Sequence, residues 1–147
     1  MSVRLSEDEA WDVLEHAHTG ILTTLQRDGR PVALPVWFVV IDRRICFRTP
    51  SRAKKITRVR RDPRVSFLVE SGERWAELRA VHVAGDVELV EDEAARARIE
   101  AAMDEKYAAY RTPKSQMSDG ARAQYADFAY LQLTPAPRML TWDNRRA

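Results

Sequence analysis

Cysteine is almost absent: Cys46 is the single one in 147 residues. One thiol excludes an internal disulfide framework and any cysteine-rich zinc site, and it suits a buried strand position in a reducing cytoplasm. Histidine is nearly as scarce, with three. His16 and His18 are two apart on an expected helix and so point in different directions, while His82 stands alone on its strand, which gives no metal-ligating set. Charge of one sign is not in excess either. The formal net charge of +2 argues against a nucleic-acid-binding surface. No apolar run approaches the roughly 20 residues that cross a bilayer, and the stretch from Met1 to Glu9 lacks the charged-then-apolar order of a signal peptide, so a cytoplasmic protein without a membrane or nucleic-acid partner is expected. GxGxxG, P-loop, GxSxG, HExxH and paired-carboxylate signatures are all missing. Any reaction must therefore be carried by something bound, for which the protein supplies position, electrostatics and exclusion of water.

What is present is an ordinary globular composition, 45% hydrophobic and 31% charged, and a length that suits one domain spanning residues 1–147. Ser6 and Glu9 have capping-box spacing ahead of Trp11, Leu14 and His18, which predicts a helix over 6–17. Ile21 to Leu25 and Val32 to Ile41 are read as antiparallel strands, with Asp28-Gly29 supplying the positive-φ residues of the turn. The second of these strands is apolar on both faces and needs cover on both, from a barrel interior on one side and from either a partner subunit or a packed helix on the other. Asp42-Arg43-Arg44 turns the chain into a strand over 45–48. Thr49-Pro50 has the form of an N-cap followed by proline at the first helical position, and a basic helix of about three turns ends at Asp62-Pro63. Strands follow over 64–70 and 78–90, with Gly85 marking a bulge or bend in the latter. A helix covers 93–110, a polar loop with a single short helical turn covers 112–127, and strands over 128–133 and 138–142 are separated by Pro135-Ala136-Pro137. Hairpin strands at even spacing, with few helices, predict a mainly β protein with a β-barrel rather than a Rossmann fold.

The densest chemical constellation is Arg48, Thr49, Ser51, Arg52, Lys54 and Lys55, where a strand ends and a helix begins. Free amides, a favourable dipole and formal positive charge make phosphate the natural guest. The alternative is that Lys54, Lys55, Arg58 and Arg61 form only the solvated face of an amphipathic helix.

At this point the order of short motifs becomes specific. Gly20-Ile21-Leu22-Thr23-Thr24, Asp28-Gly29-Arg30-Pro31, Leu34-Pro35-Val36-Trp37-Phe38, Phe47-Arg48-Thr49, Lys54-Lys55 and Asp62-Pro63-Arg64-Val65 together resemble the pyridoxamine-phosphate-oxidase-like split barrel over nearly the whole chain. Trp75, the run from Leu78 to Glu88, and Thr141-Trp142-Asp143-Asn144 resemble its branch of flavin- and deazaflavin-dependent reductases. The resemblance implies an FMN-binding split barrel of six antiparallel strands, and a homodimer with two equivalent sites at the interface. It also implies a phosphate held by Lys54 and Lys55, with Arg48, Thr49 and Ser51 nearby. The stretch Pro35, Val36, Trp37 and Phe38 would pass beside a three-ring cofactor, and Trp75, Arg79 and Trp142 of the second subunit are the candidates to complete the pocket; for the two tryptophans, packing in the dimer core is the competing role. Two departures point away from pyridoxamine-phosphate oxidation. Ala80 stands where the oxidase has glutamine, and Trp142-Asp143-Asn144 does not reproduce its arginine-containing ending. The deazaflavin F420 and FMN remain as cofactors, both with a phosphate and three rings, and the preponderance of arginine over lysine resembles the high-GC bacteria in which the deazaflavin branch is common. The implied activity is hydride transfer to an electron-poor small molecule; the alternatives are an FMN-dependent oxidase-like protein and a protein that binds a flavin, F420 or haem without turnover.

Overall fold

A computed structural model describes residues 2–147. Helix α1 spans Glu7–His16 and begins where the capping box requires: Ser6 Oγ accepts from the Glu9 N–H at 3.2 Å and Glu9 Oε1 accepts from the Ser6 N–H at 3.2 Å. It buries Ala10, Trp11 and Leu14 against the barrel. Strands β1 (Gly20–Leu25) and β2 (Pro31–Val36) form a hairpin. Its turn uses a single left-handed residue, Gly29 at φ 87°, rather than the Asp28-Gly29 pair expected from sequence. The reason is loop length: Gln26 pairs with Arg30 across three residues, which calls for a right-handed turn closed by one glycine. The paired left-handed conformation appears instead at Asp42 (φ 52°) and Arg43 (φ 54°), the two-residue turn between β3 (Val39–Ile41) and β4 (Arg44–Pro50).

Two expectations fail locally. The strand expected over 32–41 is two strands, because Trp37 and Phe38 leave the ladder. The Phe38 N–H donates to Tyr107 Oη at 2.9 Å, and the Phe38 carbonyl accepts from Lys106 Nζ at 2.8 Å. The helix expected from Thr49-Pro50 begins later and is shorter: Thr49 and Pro50 finish β4, paired to Ala129 and Phe128, and α2 occupies Lys54–Arg61 behind an uncapped Ala53. A buried apolar strand gains more from the ladder than Thr49 would gain as a cap.

The remaining elements are β5 (Arg64–Ser71), β6 (Arg79–Leu89), α3 (Glu93–Tyr107), the short helix α4 (Asp119–Gln124), β7 (Phe128–Pro135) and β8 (Leu140–Asp143). The sheet runs β2-β1-β5-β6-β7-β4-β3, with β8 paired to β6. Its two ends, β2 and β3, are consecutive in the chain, so the sheet closes on itself through Trp37-Phe38. Taking 31–41 as one interrupted strand, the ring is the expected six-stranded antiparallel barrel, with β8 lying outside it. Gly85 of β6 pairs with Val65 on one side and Pro135 on the other, and a Cβ there would overlap the Thr134 carbonyl, so the strands approach closely at this glycine.

The barrel is filled by Leu22, Phe38, Phe47, Phe67, Val81, Val83, Leu131 and Leu133, and closed by Trp11 and Leu14 of α1 and Ile56 and Val59 of α2. Outside it, α3 lays Ile99, Met103 and Tyr107 on Val39, Cys46 and Tyr130. A packed helix is thus the outer cover for β3. β2 receives none: Ala33, Leu34 and Pro35 are exposed. No helix among the described residues is long and apolar enough to cross a membrane.

Candidate binding cleft

The barrel is parted between β2 and the second half of β4. β3 pairs with β4 only as far as Val39 and Cys46, and β2 pairs only with β1, so Pro35-Val36-Trp37 and Arg48-Thr49-Pro50 face each other without a ladder between them. A cleft of about 1050 Å³ opens there, and both of these triplets line it. Segment 108–125, running from the end of α3 through α4, lies over it with Tyr110, Arg111, Lys114, Met117, Arg122 and Tyr125. The α3 face adds Glu100, Met103 and Asp104.

The wall carrying Trp37 is rigidly backed. Its ring stacks on Tyr107 at 4.4 Å with 1° between planes, and His18 packs edge-on against Trp37, Tyr107 and Tyr110. Tyr107 is fully buried, and its hydroxyl lies 2.6 Å from the His18 carbonyl oxygen and 2.9 Å from that of Phe38. Burial raises its pKa to about 12, and burial lowers that of Lys106 to about 8.

Cations and carboxylates are unevenly shared along the cleft, five against two. Arg48 is nearly buried and already engaged: its guanidinium donates to Glu100 at 2.8 Å, lies 3.4 Å from Asp104 and stacks on the Phe128 ring at 4.6 Å. Glu100 also accepts from the Tyr130 hydroxyl, and Asp104 also pairs with Arg111 at 2.6 Å. Lys55 differs. It is half-buried in the first turn of α2, no carboxylate among the described residues pairs with it, and burial, with Arg58 nearby, lowers its pKa. An unpaired, partly desolvated ammonium beside an uncapped helix start is a receptor for an anion.

The residues singled out from sequence are therefore divided. Pro35, Val36, Trp37, Arg48, Thr49 and Lys55 line the cleft, whereas Phe38 is buried in the barrel interior and Ser51 and Lys54 are not in the lining, Lys54 being exposed. Trp75, Arg79 and Trp142 lie away from it in this chain. They gather around β8, where Arg79 pairs with Asp143 and Asn144 donates to the Trp75 carbonyl, and Arg79 also lines a separate hollow of about 340 Å³ with Asp143 and Arg145. Glu100, Asp104 and the cations of the covering segment were not anticipated. The four-residue spacing of the two carboxylates on α3 was the available signal.

A six-stranded barrel parted along one seam, with an aromatic-walled, cation-rich cleft in the seam, defines a split-barrel protein. The chain belongs to the pyridoxamine 5'-phosphate oxidase family, whose sequence model matches residues 6–135. The conserved hypothetical protein Rv2991 of Mycobacterium tuberculosis is 32% identical, over 99% of this chain and 89% of that one, with a TM-score of 0.82. An FAD-binding protein of Mycobacterium smegmatis shares the fold at 22% identity, over 95% of this chain and 98% of that one, with a TM-score of 0.68. So does the haem storage protein HutZ of Vibrio cholerae, at 18% identity, over 97% and 96% of the two chains, with a TM-score of 0.72. No curated protein matches the chain.

Proposed function

We propose that this protein is an oxidoreductase that holds the deazaflavin F420 in the cleft and passes hydride to an electron-poor small molecule of the enone, quinone or tetrapyrrole kind. The observation that carries the reading is Lys55, a half-buried cation with no carboxylate partner among the described residues, on the first turn of an uncapped helix and on the wall of a cleft large enough for a three-ring ligand. F420, when bound, supplies the hydride chemistry. Lys55 holds its phosphate, Trp37 gives the ring a flat apolar wall backed by Tyr107, and segment 108–125 limits access of water. Besides Lys55, Lys114 is a lining cation with no carboxylate partner among the described residues, Arg122 being paired with Asp119. This second free cation favours F420 over FMN, since F420 bears glutamyl carboxylates beyond its phosphate and FMN does not. FMN is the alternative occupant, because Lys55 and the Trp37 wall suit it equally. A carrier without turnover is the alternative role, in keeping with the names of the M. smegmatis and V. cholerae proteins.

The reading includes a homodimer. Trp75, Leu140 and Trp142 are 70%, 65% and 41% exposed, an unusual concentration of large apolar side chains, and a second copy seated on them would bring Trp75, Arg79 and Trp142 toward the partner's cleft.

Titration of the purified protein with F420 and with FMN, followed by cofactor fluorescence and tryptophan quenching, tests the reading. Micromolar or tighter binding of F420 is expected. Lys55→Ala should weaken it by about 10- to 100-fold, the equivalent of a charge-assisted bond of about 1.5–3 kcal/mol, while Lys54→Ala should leave it unchanged. Oxidation of reduced F420 by enones, quinones or biliverdin-like acceptors separates an enzyme from a carrier. Absence of micromolar binding of either cofactor overturns the proposal.

A further inference from the structure

The seam between β2 and β4 follows from backbone geometry, and that geometry identifies what keeps it open. In an antiparallel pair, opposed residues alternate between those that exchange both backbone hydrogen bonds and those that exchange none. The two-residue turn at Asp42-Arg43 makes Ile41 and Arg44 a bonded pair, so Val39 and Cys46 are bonded as well. Continued in the same register, the next bonded pairs would be Trp37 with Arg48 and then Pro35 with Pro50. The other hairpin agrees on direction. The Gln26 N–H donates to the Arg30 carbonyl at 2.8 Å, which makes Thr24–Val32, Leu22–Leu34 and Gly20–Val36 the bonded pairs of β1 and β2. Even-numbered residues of β2 therefore turn their backbone groups to β1, and Pro35 and Trp37 turn theirs to β4. On β4, the Ser51 N–H donates to the Asp127 carbonyl at 3.0 Å, so odd-numbered positions serve β7 and Arg48 and Pro50 face the seam.

The outer rung of the missing ladder thus opposes two prolines. Neither has an N–H, so neither of the two hydrogen bonds that would define that rung can form. The Pro50 carbonyl is already used by the Ala53 N–H at 2.9 Å. Each proline costs its other neighbour nothing, because the bonds to β1 and β7 are made by the alternate residues. At the inner end, the Tyr107 hydroxyl is inserted between the Phe38 N–H and the His18 carbonyl, where the β1–β2 ladder would have its next bonded pair, and the Tyr107 ring holds Trp37 by stacking. Resting on the cleft as the cofactor site, we infer that Pro35 and Pro50 are positioning residues: facing each other across the seam, they prevent β2 from zipping onto β4 and so maintain the space that a cofactor occupies.

The double variant Pro35→Ala, Pro50→Ala restores both missing N–H groups, and amide hydrogen exchange followed by NMR on the unliganded protein reads the result directly. The new amides at 35 and 50 should exchange at least 100-fold more slowly than exposed ones, and backbone NOEs should join position 35 to 50 and Trp37 to Arg48. Affinity for F420 and FMN should fall at least tenfold with no drop in Tm, a combination that loss of a merely structural proline does not give. A single variant, Pro50→Ala, should produce a weaker version of each effect and serves if the double variant fails to fold. Solvent-rate exchange at the new amides, or wild-type cofactor affinity despite their protection, overturns the inference. Failure of the wild-type protein to bind either cofactor removes the cofactor reading instead, while the exchange rates still decide whether the prolines hold the seam.

Discussion

Lys106 is a cation placed where a cation is costly. Its ammonium lies 4.0 Å from the centroid of the Phe38 ring and donates to the Phe38 carbonyl, and burial lowers its pKa from 10.5 to about 8. Between these two values the unfolded chain binds more protons than the folded one, so the desolvation penalty is present in full below about pH 8 and is released as pH rises through the window. The Lys106→Met variant lacks this titration, while Lys55 titrates alike in both proteins. The stability of the wild type relative to Lys106→Met should therefore rise from about pH 8 to about pH 10.5, the window between the two values. Urea denaturation at several pH values checks it, and a gap that stays constant contradicts the burial of this ammonium. The deprotonated amine retains N–H groups, so the bond to the Phe38 carbonyl survives the titration.

At the scale of elements, α2 begins without a side-chain cap although its N-cap residue, Ala53, has the extended backbone (φ −62°, ψ 141°) that a capping residue adopts. A helix start left bare beside Lys55 gives up stability and leaves its amides and dipole free for an anion. Ala53→Asp should reverse that trade. Thermal or urea unfolding should show a gain of about 1 kcal/mol from the cap, and cofactor titration should show weaker binding, because a carboxylate then occupies the phosphate's place. A stabilised variant with undiminished affinity would mean that the phosphate lies elsewhere. α2 also illustrates what was legible in the sequence. Elements whose signals are local could be read: the capping box of α1 and the alternation of Val81, Val83 and Val87. Misread elements were those decided by distant partners. Thr49 looks like a cap until β7 pairs with it, and 31–41 looks like one strand until Tyr107 and Lys106, some 70 residues away, take the backbone of Phe38. The same division runs through the cleft. Lys55 and Pro35-Val36-Trp37 belong to short motifs, whereas Glu100, Asp104 and the cations of segment 108–125 reach the cleft only through the packing of α3.

For the molecule as a whole, the distribution of apolar surface is the informative quantity. On β8, Leu140 and Trp142 stand on one outer face while Thr141 and Asp143 turn inward, Asp143 being 2% exposed and paired with Arg145 at 2.6 Å. Trp75 is held beside this strand through Asn144, and β2 exposes Ala33, Leu34 and Pro35 with no helix above them. Burying such side chains releases about 25 cal/mol per Å² of apolar area, and a stable homodimer hides on the order of 800 Å² on each subunit or more. With the proposed homodimer seated on this surface, light scattering coupled to size exclusion should give twice the chain mass for the wild type. Leu140→Glu combined with Trp142→Glu should give a monomer that unfolds at a similar urea concentration when measured dilute, since neither side chain belongs to the barrel core. If residues of the second subunit complete the cleft, that monomer should also bind F420 at least tenfold more weakly, although Lys55, Trp37 and the seam are untouched. A wild type that is monomeric at tens of micromolar and still binds the cofactor would assign these aromatics another role and make each cleft complete within its own chain.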